Sequence, residues 1–137
     1  MKRVALSVLL AVVLSIGLSA QQSEAWTLLD PVALLERYAA EDLILVDVRS
    51  RASWEQARAA GSLSLPYQEI AAGASELLES GRIPVLYCTC PNEITSVAAA
   101  RELERLGARE VIVLVGGLRA WATAGLPMAF GPEEDRT

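Results

Sequence analysis

The chain has 137 residues, is 53% hydrophobic and carries a formal charge of −5 with no histidine. That is one domain's worth of chain, with ample apolar material for a single core. The missing histidine excludes Ser-His-Asp and Cys-His hydrolases, and the acidic balance argues against nucleic acid and anionic membrane surfaces as partners.

Met1-Lys2-Arg3 is a short basic start, followed by an apolar and small-residue stretch from Val4 to Leu18. This is the layout of a secretory signal peptide over residues 1–20, with Leu18-Ser19-Ala20 as the cleavage site or, as late as residue 25, Ser23-Glu24-Ala25. The rival reading is an uncleaved anchor, the only way the chain would meet a membrane; the apolar part is short for a span. Either way the folded domain is expected outside the cytoplasm, exported to a periplasm or the extracellular space. Cleavage would leave ten basic residues against seventeen acidic ones and no lysine, a net charge near −7. A lysine Schiff base is then excluded, and two cysteines without histidine are a poor start for zinc, so no metal is expected.

The domain is expected over residues 26–128. Trp26 to Leu28 suits a short edge strand, and Asp30-Pro31 gives a helix an acidic N-cap and a proline at its first position, with Leu34, Leu35 and Tyr38 as its stripe. Leu43 to Val48 is a nearly continuous apolar run, the signature of a strand buried on both faces. Ser50 to Ala60 reads as a helix around Trp54, Leu63 to Leu65 as a short strand, and Tyr67 to Leu78 as a helix weakened by Gly73. Ile83 to Thr89 is the second strong strand, followed by a helix from about Thr95 to Gly107. Val111 to Val115 is the third, and Gly116-Gly117 turns into a short helix carrying Trp121. Residues 129–137 are expected to be a disordered tail.

Strands alternating with helices predict an α/β fold with a mostly parallel sheet. Functional groups in such sheets lie beyond the carboxyl ends of the strands. Three ends stand out: Asp47-Val48-Arg49, Cys88-Thr89-Cys90 and Gly116-Gly117. A cysteine between an apolar strand and a helix meets unpaired N–H groups and the positive end of the helix dipole, which favour the nucleophilic thiolate. The Cys-x-Cys spacing closes too small a ring for an ideal structural bridge and points to reactivity instead.

The motif LILVDVR with Trp54-Glu55, the segment Gly61 to Pro66 and the closing Leu114-Val-Gly-Gly-Leu-Arg-Ala-Trp121 with Gly125-Leu-Pro127 resemble a rhodanese domain. The resemblance covers roughly Asp30 to Met128, and Arg58 stands where members often carry a histidine that is not catalytic. It implies a rhodanese-like fold: a mostly parallel five-stranded sheet flanked by helices on both faces. It also implies a catalytic cysteine that accepts sulfane sulfur as a persulfide and passes it to a thiophilic acceptor, without metal or cofactor. By the family's spacing to the helix-ending glycine and to Gly-Gly, that cysteine is Cys90. Its loop is then Cys90-Pro91-Asn92-Glu93-Ile94-Thr95, with Ser96 following as a helix cap or site residue.

Many members hold anionic donors with loop glycine and arginine. Here Pro91 lacks an N–H, Glu93 adds negative charge and Thr95 offers only a hydroxyl, which suits a neutral small donor or a protein persulfide better than thiosulfate. The Cys-Pro-Asn-Glu loop is similar to that of rhodanese domains appended to DedA-type membrane proteins, implying an envelope setting and an envelope protein as partner. Cys88 reads as a small core hydrophobe or as a resolving thiol. Asp47 and Arg49 either line the site mouth or fix the strand end as a pair. Glu93 is either a solvated charge or a donor selector, and the tryptophans are packing anchors. A Cys-x5-Arg phosphatase lacks its arginine here. A thiol redox protein using Cys88 and Cys90, or a non-catalytic binding module, stays open beside sulfur transfer.

Overall fold

The computed structural model describes residues 24–133. The segment expected to be a signal peptide lies outside the described residues, as do the last four of the chain.

Five strands form a parallel sheet: β1 (Trp26–Leu29), β2 (Leu43–Asp47), β4 (Leu63–Ser64), β5 (Ile83–Tyr87) and β6 (Val111–Leu114). Their order is β1-β6-β5-β2-β4, so β5 lies at the centre. The apolar runs that read as buried strands are these central ones: Val85 to Tyr87 and Val111 to Leu114 are buried throughout.

Helices cover both faces. α1 (Pro31–Tyr38) starts as its sequence dictates, with Asp30 Oδ1 accepting the N–H groups of Val32 and Ala33 at 2.9 Å each. It packs Leu34 on the face of the sheet shared with Leu118 and Trp121 of α5 (Gly117–Thr123). The opposite face carries α3 (Ile70–Glu79), through Ile70, Ala74 and Leu77, and α4 (Ile94–Arg105), through Ala99, Ala100 and Leu103. Gly73 weakens α3 on propensity alone and lies against Leu65: a Cβ there would stand 2.6 Å from Leu65 Cδ1 and push that side chain aside. Among the described residues no helix is long and apolar enough to cross a membrane.

Two expectations are corrected. The helix expected over residues 50–60 ends early: α2 is only Arg51–Gln56, and β3 (Ala57–Ala59) follows it directly. β3 pairs antiparallel with β7 (Met128–Phe130), so Ala129 and Phe130 belong to a strand rather than to a disordered tail. Alanine-rich 57–60 has helical propensity, but tertiary bonds override it. The Ala59 N–H reaches the Tyr87 hydroxyl at 3.2 Å, and Arg58 donates to Gly131 O at 2.7 Å while stacking on Trp54 at 4.1 Å.

Candidate active site

The carboxyl ends of β2, β5 and β6 meet where the strand pattern placed them. Val48 N–H donates to Tyr87 O at 3.1 Å, and Leu118 N–H donates to Cys88 O at 3.0 Å. The second bond explains why β5 stops at Tyr87 instead of running to Thr89. The carbonyl of Cys88 has left the sheet ladder for the first turn of α5.

Cys90 is extended (φ −81°, ψ 153°) and opens a tight loop, Pro91–Glu93, which feeds α4. The helix begins at Ile94, one residue before the expected start. Asn92 (φ 53°) and Glu93 (φ 52°) are both left-handed, the only non-glycine residues in that region among those described. Asparagine tolerates this conformation; for glutamate it costs about 1–2 kcal/mol. The curl turns the backbone of the loop back over the sulfur, and Thr95 N–H donates to Cys90 Sγ at 3.3 Å.

Partial burial pushes the Cys90 thiol up. Hydrogen bonds from the Cys88 thiol, from Thr95 and from the loop backbone outweigh it, leaving Cys90 below the ordinary thiol value. Cys88 moves the other way, raised by its burial and by donating to Cys90, against a smaller pull from Ser96. The thiolate is therefore placed on Cys90, and Cys88 is the protonated partner. Because reactivity follows the thiolate fraction, alkylation of Cys90 by iodoacetamide should reach half its plateau rate at a lower pH than alkylation of the same cysteine in the urea-unfolded chain. A midpoint at or above that of the unfolded chain would contradict this electrostatic picture.

Glu93 is not a free loop charge. Its Oε1 accepts the Gly116 N–H at 2.7 Å, tying the loop to the Gly-Gly turn. Gly116 (φ 75°) and Gly117 (φ 55°) are both left-handed, and Gly117 also lies against the strand. A Cβ at Gly117 would stand 2.0 Å from Cys88 O. Pro91, Asn92 and Ile94 are exposed around the loop, while Ser96 is fully buried beneath it. Ser96 does not cap the helix: its Oγ is among the buried polar atoms without a hydrogen-bond partner.

Asp47 has no exposed surface and gives both carboxylate oxygens to Arg49, which donates at 2.9 Å from Nε and 2.6 Å from Nη2. Arg49 Nη2 also donates to Ala57 O at 2.6 Å. The pair ties the end of β2 to the start of β3. Trp54 and Trp121 are buried anchors, with indole N–H groups on Ser62 O at 3.2 Å and Pro127 O at 2.8 Å.

The sequence reading missed Tyr87. Its hydroxyl lies 2.8 Å from Ser62 Oγ and accepts the Ala59 N–H, locking the 59–62 segment behind the site. A tyrosine closing an otherwise apolar buried strand needs a partner for its hydroxyl, and that was the available signal. Burial first, then the charge of Asp47, raise the tyrosine's pKa, so it stays a neutral strut.

The family model of the Rhodanese-like domain matches residues 30–124. A sulfurtransferase of Allochromatium vinosum is 36% identical over 101 residues, covering 73% of this chain and 92% of its own length. The "Putative sulfur carrier protein YrkF" of Bacillus subtilis is 35% identical over 81 residues, which span 59% of this chain and 42% of that protein. The chain thus corresponds to less than half of that longer relative. Among solved structures, the Alr3790 protein of Anabaena superposes with a TM-score of 0.66 at 26% identity, over 75% of this chain and 92% of that one. The thiosulfate sulfurtransferase of Pseudomonas aeruginosa reaches the same TM-score, 0.66, at 18% identity over 77% of this chain and 20% of that one, a likeness of fold. With a strand–cysteine–helix site at the carboxyl edge of a five-stranded parallel sheet and this matched span, the chain belongs to the rhodanese-like domain family.

Proposed function

We propose that the chain is a sulfurtransferase that carries sulfane sulfur as a persulfide on Cys90. One observation carries this reading: a thiolate-favouring Cys90 whose sulfur accepts the Thr95 N–H at 3.3 Å at the start of α4. The Cys90 thiolate attacks the sulfane sulfur of a donor, forming Cys90–S–S⁻ as the donor's bond to that sulfur breaks and its electron pair leaves with the remainder. An acceptor thiolate then attacks the outer sulfur, and Cys90 departs as thiolate. Both anions gain from the same N–H groups and helix dipole, without metal or histidine.

The donor that fits is neutral or a protein-bound persulfide. The loop presents no cation, Glu93 adds a negative charge, and the guanidinium of Arg49 is committed to Asp47 and Ala57. A protein donor agrees with the relative named as a sulfur carrier. With residues 1–20 read as a signal, the reaction is placed in a periplasm or outside the cell, with a small thiol or an envelope protein as partner. An uncleaved N-terminal segment would instead anchor it to the membrane.

The test is a comparison of donors. Cysteine persulfide should load Cys90 faster than thiosulfate does in the wild type, and Glu93→Gly should raise the thiosulfate rate about tenfold by removing a like charge near the sulfur. Stability should change little, since relief of the left-handed strain offsets one lost hydrogen bond of ~1 kcal/mol. An unchanged thiosulfate rate in Glu93→Gly would sink the charge argument.

A further inference from the structure

We propose that Cys88 is an internal resolving thiol, which discharges a persulfide on Cys90 by forming a Cys88–Cys90 disulfide and releasing hydrogen sulfide. The inference rests on the persulfide reading above and adds a second fate for the bound sulfur.

Cys88 is 2% exposed, so its sulfur is shielded from external donors and acceptors. Cys90, by contrast, is partly exposed and packs against the same core face to which Cys88 belongs. The Cys88 side chain is the first of the influences that lower the Cys90 thiol, which sets the two side chains close together. Residues two apart have Cα atoms at most about 6.6 Å apart (two rises of ~3.3 Å), and the chain bends at Thr89 and Cys90. That lies within the ~4.4–6.8 Å that disulfides span, and the small ring it closes leaves the bridge open to reduction by small thiols.

Ser96 supplies an independent observation. Its hydroxyl is fully buried, lacks a hydrogen-bond partner at rest and lies next to the Cys88 sulfur. An orphaned buried hydroxyl is costly. Here it can donate to Cys88 as that sulfur gives up its proton.

The step balances without an added oxidant. Cys88 Sγ attacks Cys90 Sγ, the disulfide bond forms, and the bond from Cys90 Sγ to the outer sulfur breaks. The electron pair leaves with that sulfur, which takes the Cys88 proton and departs as hydrosulfide; a proton from solvent then gives hydrogen sulfide. The sulfane sulfur is reduced to sulfide, and the Cys88 thiol is oxidised. A small thiol then reduces the disulfide and restores the pair.

The experiment uses the whole chain, reduced and then freed of reductant. Wild type, Cys88→Ser and Cys88→Ala are loaded with sodium tetrasulfide, desalted and left without thiol, and intact mass and released sulfide are followed. The expected wild type ends two hydrogens lighter than the reduced chain, with one equivalent of sulfide released. Both variants should keep one added sulfur, released only when glutathione is supplied. A wild type that keeps its added sulfur as long as the variants do would overturn the proposal. Variants that never gain sulfur would instead sink the sulfur-transfer reading, and the resolving role with it.

Discussion

Gly117→Ala should be among the most destabilising single substitutions in the described domain, costing ~3 kcal/mol or more in urea unfolding. Two costs coincide. The new Cβ would stand 2.0 Å from Cys88 O, a backbone atom that cannot swing away as a side-chain tip would. That same carbonyl accepts the Leu118 N–H at 3.0 Å, so any retreat breaks the bond joining β5 to α5. The left-handed φ of 55° adds ~1 kcal/mol for any residue with a Cβ. Because Cys88 O lies two residues before the nucleophile, the variant should also lose reactivity at Cys90 under conditions where it remains folded. A loss in urea unfolding below ~1 kcal/mol would show that the Gly-Gly turn gives way more easily than its packing implies. Gly125→Ala is the natural control: it shares a positive φ of 73° but a Cβ there meets nothing within 4 Å.

Cys90→Ser should abolish sulfur transfer, by on the order of 10⁴-fold or to background, with little loss of stability. A serine hydroxyl stays protonated at neutral pH, and even as an alkoxide it cannot hold the transferable sulfur–sulfur bond. No other group at the site can replace it. Cys88 is buried with a raised pKa, and Thr95 and Ser96 have no base to activate them. A Cys90→Ser protein that still turns over would mean that Cys88 or an unrecognised group is the nucleophile.

Much of this arrangement was legible because it is local. Asp30-Pro31 capping α1, the runs at Leu43, Val85 and Val111, and the Gly-Gly turn each state their role within a few residues. Choosing Cys90 over Cys88 as the catalytic cysteine came from the resemblance to the rhodanese family's spacing, and it is Cys90 whose sulfur accepts the Thr95 N–H. What was illegible is held by contacts across the chain. Ala57–Ala59 carries helix-forming residues and becomes a strand only because Met128–Phe130 lies alongside it. The destination of Glu93 is a backbone N–H 23 residues away, which no local pattern announces. The orphaned hydroxyl of Ser96 was equally hidden, since a serine at the start of a helix reads first as a cap.

The account's central claim is that Cys90 is where sulfane sulfur is carried, and intact mass tests it most directly. After brief exposure to cysteine persulfide and rapid desalting, the Cys88→Ser protein should gain one sulfur atom, lose it on addition of a thiol acceptor, and place it by peptide mapping on the fragment containing Cys90. The Cys88→Ser, Cys90→Ser double variant should gain none. A Cys88→Ser protein that never gains sulfur from any donor, or a double variant that gains as much, would contradict the claim.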